Sequence, residues 1–362
     1  MGPLLADCGT RGQESVEVAS LDLSDPTTRR PFAAWIEAKA EPAANFVLSK
    51  FDAHDVVLIG ENHEVRENCD FVSTLVPSLA TRGIRVLATE FYRASQNADL
   101  EALVDGKAEA FDRARAIALT RDLAWPTWGH VEYLAIVEAV YRNNREARRA
   151  AGDSDVAPSL LRFVGIDSDW KQVDHWRSSK REQMTTMLAR EKCFEQSVAT
   201  QVDAGHKVLV HCGFAHSVTS HGLRLGTVLR KRYGQRVGQV VLHHDFGAIS
   251  KAIEDLVGQR RGIGFDIVGS PFAPWRERAS PAFAYVDSLG QMAEAWVFLD
   301  ASSALHPTTW IDGFIDARHF EDALFVARKR RMVAKDAEVE NAHELDSLIQ
   351  SFYRRRAKLP PR

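Results

Sequence analysis

Residues 56–71 read VVLIGENHEVRENCDF, and this stretch decides the fold. VVLIG (56–60) is continuously apolar, too short for a helix of its own, and is cut off by Gly60-Glu61-Asn62-His63. A helical pattern then runs on through DFVSTLVPSLATRG. An apolar run with no polar alternation, followed at once by a helix, is what a parallel strand buried on both faces produces. The same unit recurs along the chain. IRVLATEF (84–91), LRFVGID (161–167), KVLVHCG (207–213) and QVVLHHD (239–245) are the other runs, with helical stretches over 96–119, 129–149, about 176–201 and 224–234 between them. The expectation is an α/β fold: a mostly parallel central sheet flanked by helices, with a helical insertion or subdomain at about 96–149. FDIVGS (265–270) and AEAWVFLD (293–300) are candidates for further strands, near an edge. Residues 1–30, polar and rich in Gly, Ser, Asp and Pro, read as a flexible leader. The α/β domain then spans 31–315, and a basic helical extension spans 316–362.

Composition narrows the function classes. The chain has 362 residues, and its 46 Lys plus Arg nearly balance its 49 Asp plus Glu. No domain-wide basic excess favours nucleic acid, so no nucleic-acid partner is expected. The basic pieces ARKRR (327–331) and YRRRAK (353–358) read as solvated helix faces. No apolar run is long enough to span a bilayer, so no membrane partner is expected either. The N-terminus lacks a basic region followed by an apolar one, which points to the cytoplasm. Cys8, Cys69, Cys193 and Cys212 are widely spaced, which argues against a disulfide framework or a zinc knuckle. Oligomeric state is not legible.

In parallel sheets the residues just beyond the strands line the ligand site. Here those positions carry imidazoles and carboxylates: Glu61 and His63, Glu90, Asp167, His211 and His216, then His243 and His244. Five strand ends of this kind make a polar catalytic cleft the favoured expectation. An imidazole held by a carboxylate activates water near neutral pH. Two His with one or two Glu also suit a divalent metal such as Mn, Fe, Co or Zn. Both options stay open here. Structural roles stand beside each candidate: Glu61 and Asp167 suit helix caps, and His211 suits a core histidine inside its apolar run. His243 and His244 point opposite ways along a strand, so one at most faces the cleft, and His244 is taken. WPTWGHVEY (125–133) sets aromatics and His130 ahead of a helix, where they line a pocket or dock the helix. Arg181 falls near a helix start, an unfavourable place for a cation unless it meets an anion. There is no G-x-S-x-G elbow, Walker loop or H-E-x-x-H helix.

VLIGENHEVRENCDF, ATEF, RFVGID, KREQM and VLVHCGFAHS, in this order over roughly 56–245, resemble the erythromycin esterase-like and ChaN-like superfamily, with TraB and Tiki proteins more distant. The paired G-x-x-H elements, Gly60–His63 and Gly213–His216, carry the resemblance together with Glu90 between them. It implies a cleft containing Glu61, His63, Glu90 and His216. In esterase-like members a histidine activates water for ester or lactone opening. In Tiki-type relatives the corresponding His and Glu bind a divalent metal for peptide cleavage, and ChaN-like members are associated with haem or iron. Carried over, His63 is the general base, supported by Glu61 or Glu90. His216 orients the substrate or shares a metal with His63, Glu90 and Glu61, and Arg181 meets a substrate carboxylate or the oxyanion. Asp167, His211, His130 and His244 line the substrate pocket. The expected activity is hydrolysis of an ester, lactone or amide of a small molecule or peptide. Non-hydrolytic tailoring on the same scaffold, and haem or iron binding without turnover, are the alternatives.

Overall fold

A computed structural model describes residues 15–123, 125–152, 160–278, 280 and 286–358. The strands among them are β1 (Val16–Glu17), β2 (Glu41–Pro42), β3 (Val56–Glu61), β4 (Val86–Arg93), β5 (Arg162–Asp167), β6 (Val208–Gly213), β7 (Val237–Leu242), β8 (Ile263–Asp266), β9 (Trp275–Arg276) and β10 (Ala295–Phe298). Eight of these form one sheet in the order β2-β8-β10-β7-β3-β6-β4-β5. From β10 to β5 all neighbours are parallel. β8 runs antiparallel to β10, and β2 antiparallel to β8. The sheet is therefore mixed and mostly parallel, as the apolar runs require. The five runs read first are contiguous in it, and the two later candidates add on the β7 side.

Every residue of β3, β6 and β7 is buried. The reason is visible in alternate side chains. Val57, Ile59, Leu87 and Leu209 pack on one face with Val72, Leu75 and Val76 from the helix Arg66–Thr81 and with Val137 and Val140 from the helix Val131–Ala151. Val56, Leu58, Val86, Val208 and Val210 pack on the other, against Phe194, Val198 and Val202 of the helix Lys180–Asp203 and Leu225 and Leu229 of the helix Leu225–Tyr233. Each such side chain contributes roughly 1.5–3 kcal/mol on burial, so both faces hold the sheet.

The β4–β5 crossover contains the expected helical insertion, broken where the sequence showed one long helix: Asn97–Val104 and Arg113–Arg121 precede Val131–Ala151. The break falls at Gly106, which has φ +74°; a Cβ there would lie 2.5 Å from the Arg145 backbone nitrogen, so only glycine lets the turn touch the long helix. The segment expected as one helix over about 176–201 is also two, Gln172–Arg177 and Lys180–Asp203. Ser179 separates them because its side chain caps the second, in a reciprocal capping box with Glu182.

Of the leader expected over 1–30, residues 1–14, with Cys8, lie outside the described residues. Val16–Glu17 pairs in parallel with Trp275–Arg276, and Asp25 caps the helix Pro26–Lys39 through the Thr27 and Thr28 amides. Beyond 315, the helices Phe320–Lys329 and Ala342–Lys358 pack onto the domain. Asp346 accepts from Trp310 Nε1 and from the Gly313 and Ile315 amides, and the Tyr353 ring stacks on Trp310. Among the described residues no helix is long and apolar enough to cross a membrane.

Candidate active site

The carboxyl ends of β3, β6 and β4 bring Glu61, His63, Glu90, His211 and His216 into one network. Glu61 is fully buried and accepts three hydrogen bonds: from His63 Nδ1 at 3.0 Å, from His211 Nε2 at 2.6 Å, and from the Tyr133 hydroxyl. Those donors fix the tautomer of His63, whose Nδ1 carries the proton toward Glu61 and whose Nε2 faces Glu90 Oε1 at 3.2 Å. On its other oxygen Glu90 lies 3.3 Å from His216 Nε2. His216 is anchored in turn, Nδ1 to Glu191 at 2.7 Å, and Glu191 also accepts from Arg224 and the Leu225 amide. Imidazoles and carboxylates thus alternate across three strand ends.

The His63 side chain is 36% exposed, whereas those of Glu61 and Glu90 are 0% and 3% exposed. His63 is therefore the histidine of the network that reaches solvent. Phe91 and Trp128, stacked at 5.4 Å and 11°, meet the imidazole edge-on at 5.5 and 5.3 Å and wall this opening. Gly213 lies close beneath the ring and Gly60 against Ser217, which is why both strand ends carry glycine.

Four carboxylates (Glu61, Glu90, Asp167, Glu191) face two guanidiniums (Arg190, Arg224) and three imidazoles. The carboxylates thus outnumber the guanidiniums by two. Burial would raise the Glu61 carboxyl, but His211 and His63 beside it hold it at about 2. For Glu90 burial is again the largest influence, and His216, His63 and Arg190 outweigh it, lowering the carboxyl below its ordinary value. Burial disfavours charge on His63. The hydrogen bond to Glu61 and the charges of Glu90, Glu61 and Glu64 reverse that and raise its pKa. Glu90 Oε2 is buried without an aligned hydrogen bond, 3.3 Å from His216 Nε2 and 3.8 Å from the Arg190 guanidinium.

Arg181, expected to meet an anion, is exposed on the first turn of its helix and outside the network. Arg190 is the arginine in the site. It clamps Asp167 through Nε at 2.8 Å and Nη2 at 3.0 Å, lies 3.8 Å from Glu90, and packs under Trp170 and Phe194. Nine residues separate the two arginines, two and a half turns, so they sit on opposite helix faces. Asp167 is thereby a partner of Arg190 and Trp170 and lies behind Glu90. His130 is buried behind Tyr133 and Trp128, with Nδ1 on the Thr308 hydroxyl. Burial pushes its pKa down to about 4, so it is held neutral. His244 borders a cleft beside the His63 loop, while His243 turns the other way, onto Trp296 and Glu254. Sequence reasoning missed Arg190 and Glu191; Trp128 and Tyr133 lie in the aromatic stretch 125–133, which it read as lining a pocket or docking a helix. Arg190 did leave a signal: it continues the i+4 stripe of Phe194, Val198 and Val202, where a charged residue is out of place.

Among the described residues no group of three or more His, Cys, Asp or Glu is arranged to hold a metal ion. The donors point at one another, and the Arg190 guanidinium sits 3.4 Å from His216 Nε2. A divalent metal does not fit this arrangement. Ser302 Oγ lies 3.1 Å from His243 Nε2 and has the look of a serine–histidine pair. Trp296 donates to His243 Nδ1, however, so Nε2 carries the proton, given to Glu254, and cannot take one from serine.

Fold and site together define an α/β protein with a buried imidazole–carboxylate network at the carboxyl ends of its parallel strands, open at one histidine. Among solved structures it is similar to a protein from Bacillus cereus, at TM-score 0.54 and 13% identity, over 77% of this chain and 98% of that one. It is also similar to the type III effector HopBA1 (TM-score 0.43, 12% identity, 72% of this chain and 94% of that). A third is ChaN of Campylobacter jejuni, described with cofacial haem binding (TM-score 0.40, 14% identity, 56% and 88%). The relationship is distant and is one of fold. No protein-family model and no curated protein matches the chain.

Proposed function

We propose that the chain is a hydrolase of the erythromycin esterase-like kind, opening an ester, lactone or amide bond of a small molecule or peptide with His63-activated water. One observation carries this. His63 is the exposed histidine of a buried network, its Nδ1 fixed by Glu61 and its Nε2 beside Glu90. A carboxylate that orients an imidazole and fixes its tautomer is the arrangement general-base catalysis needs. Nε2 takes a proton from water as the water oxygen bonds to the carbonyl carbon. Glu61 and Glu90 stabilise the imidazolium formed. The same proton then passes to the leaving oxygen or nitrogen as its bond to carbon breaks, which restores neutral His63. His216 and Arg190, behind Glu90, hold that carboxylate in place.

Turnover of a panel of activated esters, lactones and amides, compared in parent, H63N and E90Q proteins, tests the assignment. Loss of the base lowers kcat by roughly 10²–10⁴-fold. Full turnover in both variants would remove His63 and Glu90 from the chemistry.

A further inference from the structure

A cleft of about 1180 Å³ opens beside the His63 loop. Asn62 and Glu64, the chain neighbours of His63, form part of its wall, and Asp245, Arg330, Arg331, Arg355 and Arg356 line it further. Four guanidiniums thus face two carboxylates. Glu64 is already neutralised: Arg330 pairs with one of its oxygens and Arg356 with the other, at 2.9 Å. Arg331 and Arg355 are different. Both are exposed, and neither side chain has a hydrogen-bond or ion-pair partner among the described residues.

The plain explanation for arginines here is that Arg354, Arg355 and Arg356 complement the dipole at the end of the helix Ala342–Lys358. It accounts for Arg354, which is not part of the cleft wall. It does not account for Arg331, which follows a different helix, Phe320–Lys329, and reaches the same cleft. Arg331 has φ +58°, a left-handed conformation that glycine adopts without strain at helix ends. An arginine held there, next to a second free arginine from another element, is a pair of unspent forks aimed at one volume. Guanidinium forks of this kind match carboxylate and phosphate oxygens.

The geometry points to a subsite for an anionic group, a carboxylate or phosphate, carried by the substrate whose scissile bond reaches His63. This rests on the hydrolase reading above and names its substrate class. Arg331 and Arg355 bind the anion, while Arg330 and Arg356 hold Glu64 so that it does not repel it.

Binding of 4-hydroxybenzoate, phenyl phosphate and the neutral 4-hydroxybenzamide, measured by calorimetry, tests the subsite without turnover. At least one anion binds about tenfold or more tighter than the amide. The gap closes in R331Q/R355Q, whose two sites are exposed, and narrows as salt rises from about 50 to about 500 mM. Equal binding of all three probes, or a preference that survives in R331Q/R355Q, overturns the subsite. H63N separates the two claims because it removes the proposed base and leaves the arginines. Anion preference in H63N, combined with undiminished ester turnover there, would uphold the subsite and sink the hydrolase reading alone.

Discussion

Gly213 ends β6 directly beneath the His63 imidazole, and replacing it with alanine moves one ring with little else disturbed. A Cβ at this position meets His63 Cε1 at 2.6 Å and Nε2 at 2.7 Å, and Glu90 Oε1 at 3.2 Å. Ordinary contact begins near 3.4 Å, so the ring must retreat by roughly 0.8 Å, the difference between 3.4 and 2.6. Its Nδ1 end is tethered to Glu61 at 3.0 Å, and the retreat therefore swings Nε2 away from Glu90. Backbone strain does not enter, since Gly213 has φ −59° and ψ 144°, which alanine adopts freely. The obstructing atoms belong to a partly exposed side chain, so G213A is expected to fold with Tm lowered by no more than about 3 °C. Misplacing a catalytic group by about 1 Å costs on the order of 10²-fold in rate, and kcat/KM for a responsive ester falls by that amount. A second readout needs no substrate. The Glu90 charge helps raise the His63 pKa, so NMR titration of His63 shows a lower pKa in G213A than in the parent. G60A supplies the contrast: there the Cβ meets Ser217 Oγ at 2.2 Å and Phe214 Cα, a backbone atom, at 3.1 Å, and stability falls. A G213A protein with parental kcat/KM and a parental His63 titration would refute the placement of His63 at the centre of the chemistry.

The proposed mechanism requires neutral His63, whose pKa is raised, so kcat/KM is expected to climb with pH through a limb above the ordinary value of 6.5. E90Q removes one of the charges responsible and should shift that limb to lower pH in whatever turnover remains; a limb that stays put would uncouple the two residues. R190M leaves Asp167 buried beside Glu90 without its cation, and breaking such a pair costs roughly 3–5 kcal/mol. Urea denaturation should show that loss, and D167N/R190M should recover part of it; an R190M protein as stable as the parent would mean that the clamp carries no net stability.

The parallel sheet was legible because burial on both faces leaves a signature within each strand. Val56–Ile59, Val86–Ala88 and Val208–Val210 have no polar alternation, and in the fold their side chains do divide between two apolar layers. The strand-end residues followed from the same logic. Once β3, β4 and β6 lie side by side in parallel, Glu61, Glu90 and His211 share one edge, with His63 and His216 just past it, whatever the helices do. Helix breaks were less visible. Gly106 and Ser179 each interrupt a continuous helical pattern, and a close approach to another helix and a capping box decide the matter at these points.

What the sequence hid comes from side chains on elements whose orientation only packing determines. Tyr133 reaches Glu61 from the β4–β5 crossover, and Arg190 reaches Asp167 from the β5–β6 crossover. Helical spacing says which residues share a face but not which face meets the sheet, and Arg181 and Arg190 are half a rotation apart on one helix. The basic end of the chain was obscured for a related reason. Arg330 and Arg356 lie 266 and 292 positions from Glu64. As charge runs they look solvated, yet they neutralise the buried carboxylate next to His63. Glu64 has φ 64° and donates its amide to the Tyr133 hydroxyl, which in turn donates to Glu61. The left-handed turn that carries His63 away from β3 is therefore held from both sides, by the crossover helix through Tyr133 and by the C-terminal helices through Arg330 and Arg356. Orientation of the proposed base thus depends on Arg330 and Arg356 as directly as on the motif that contains it.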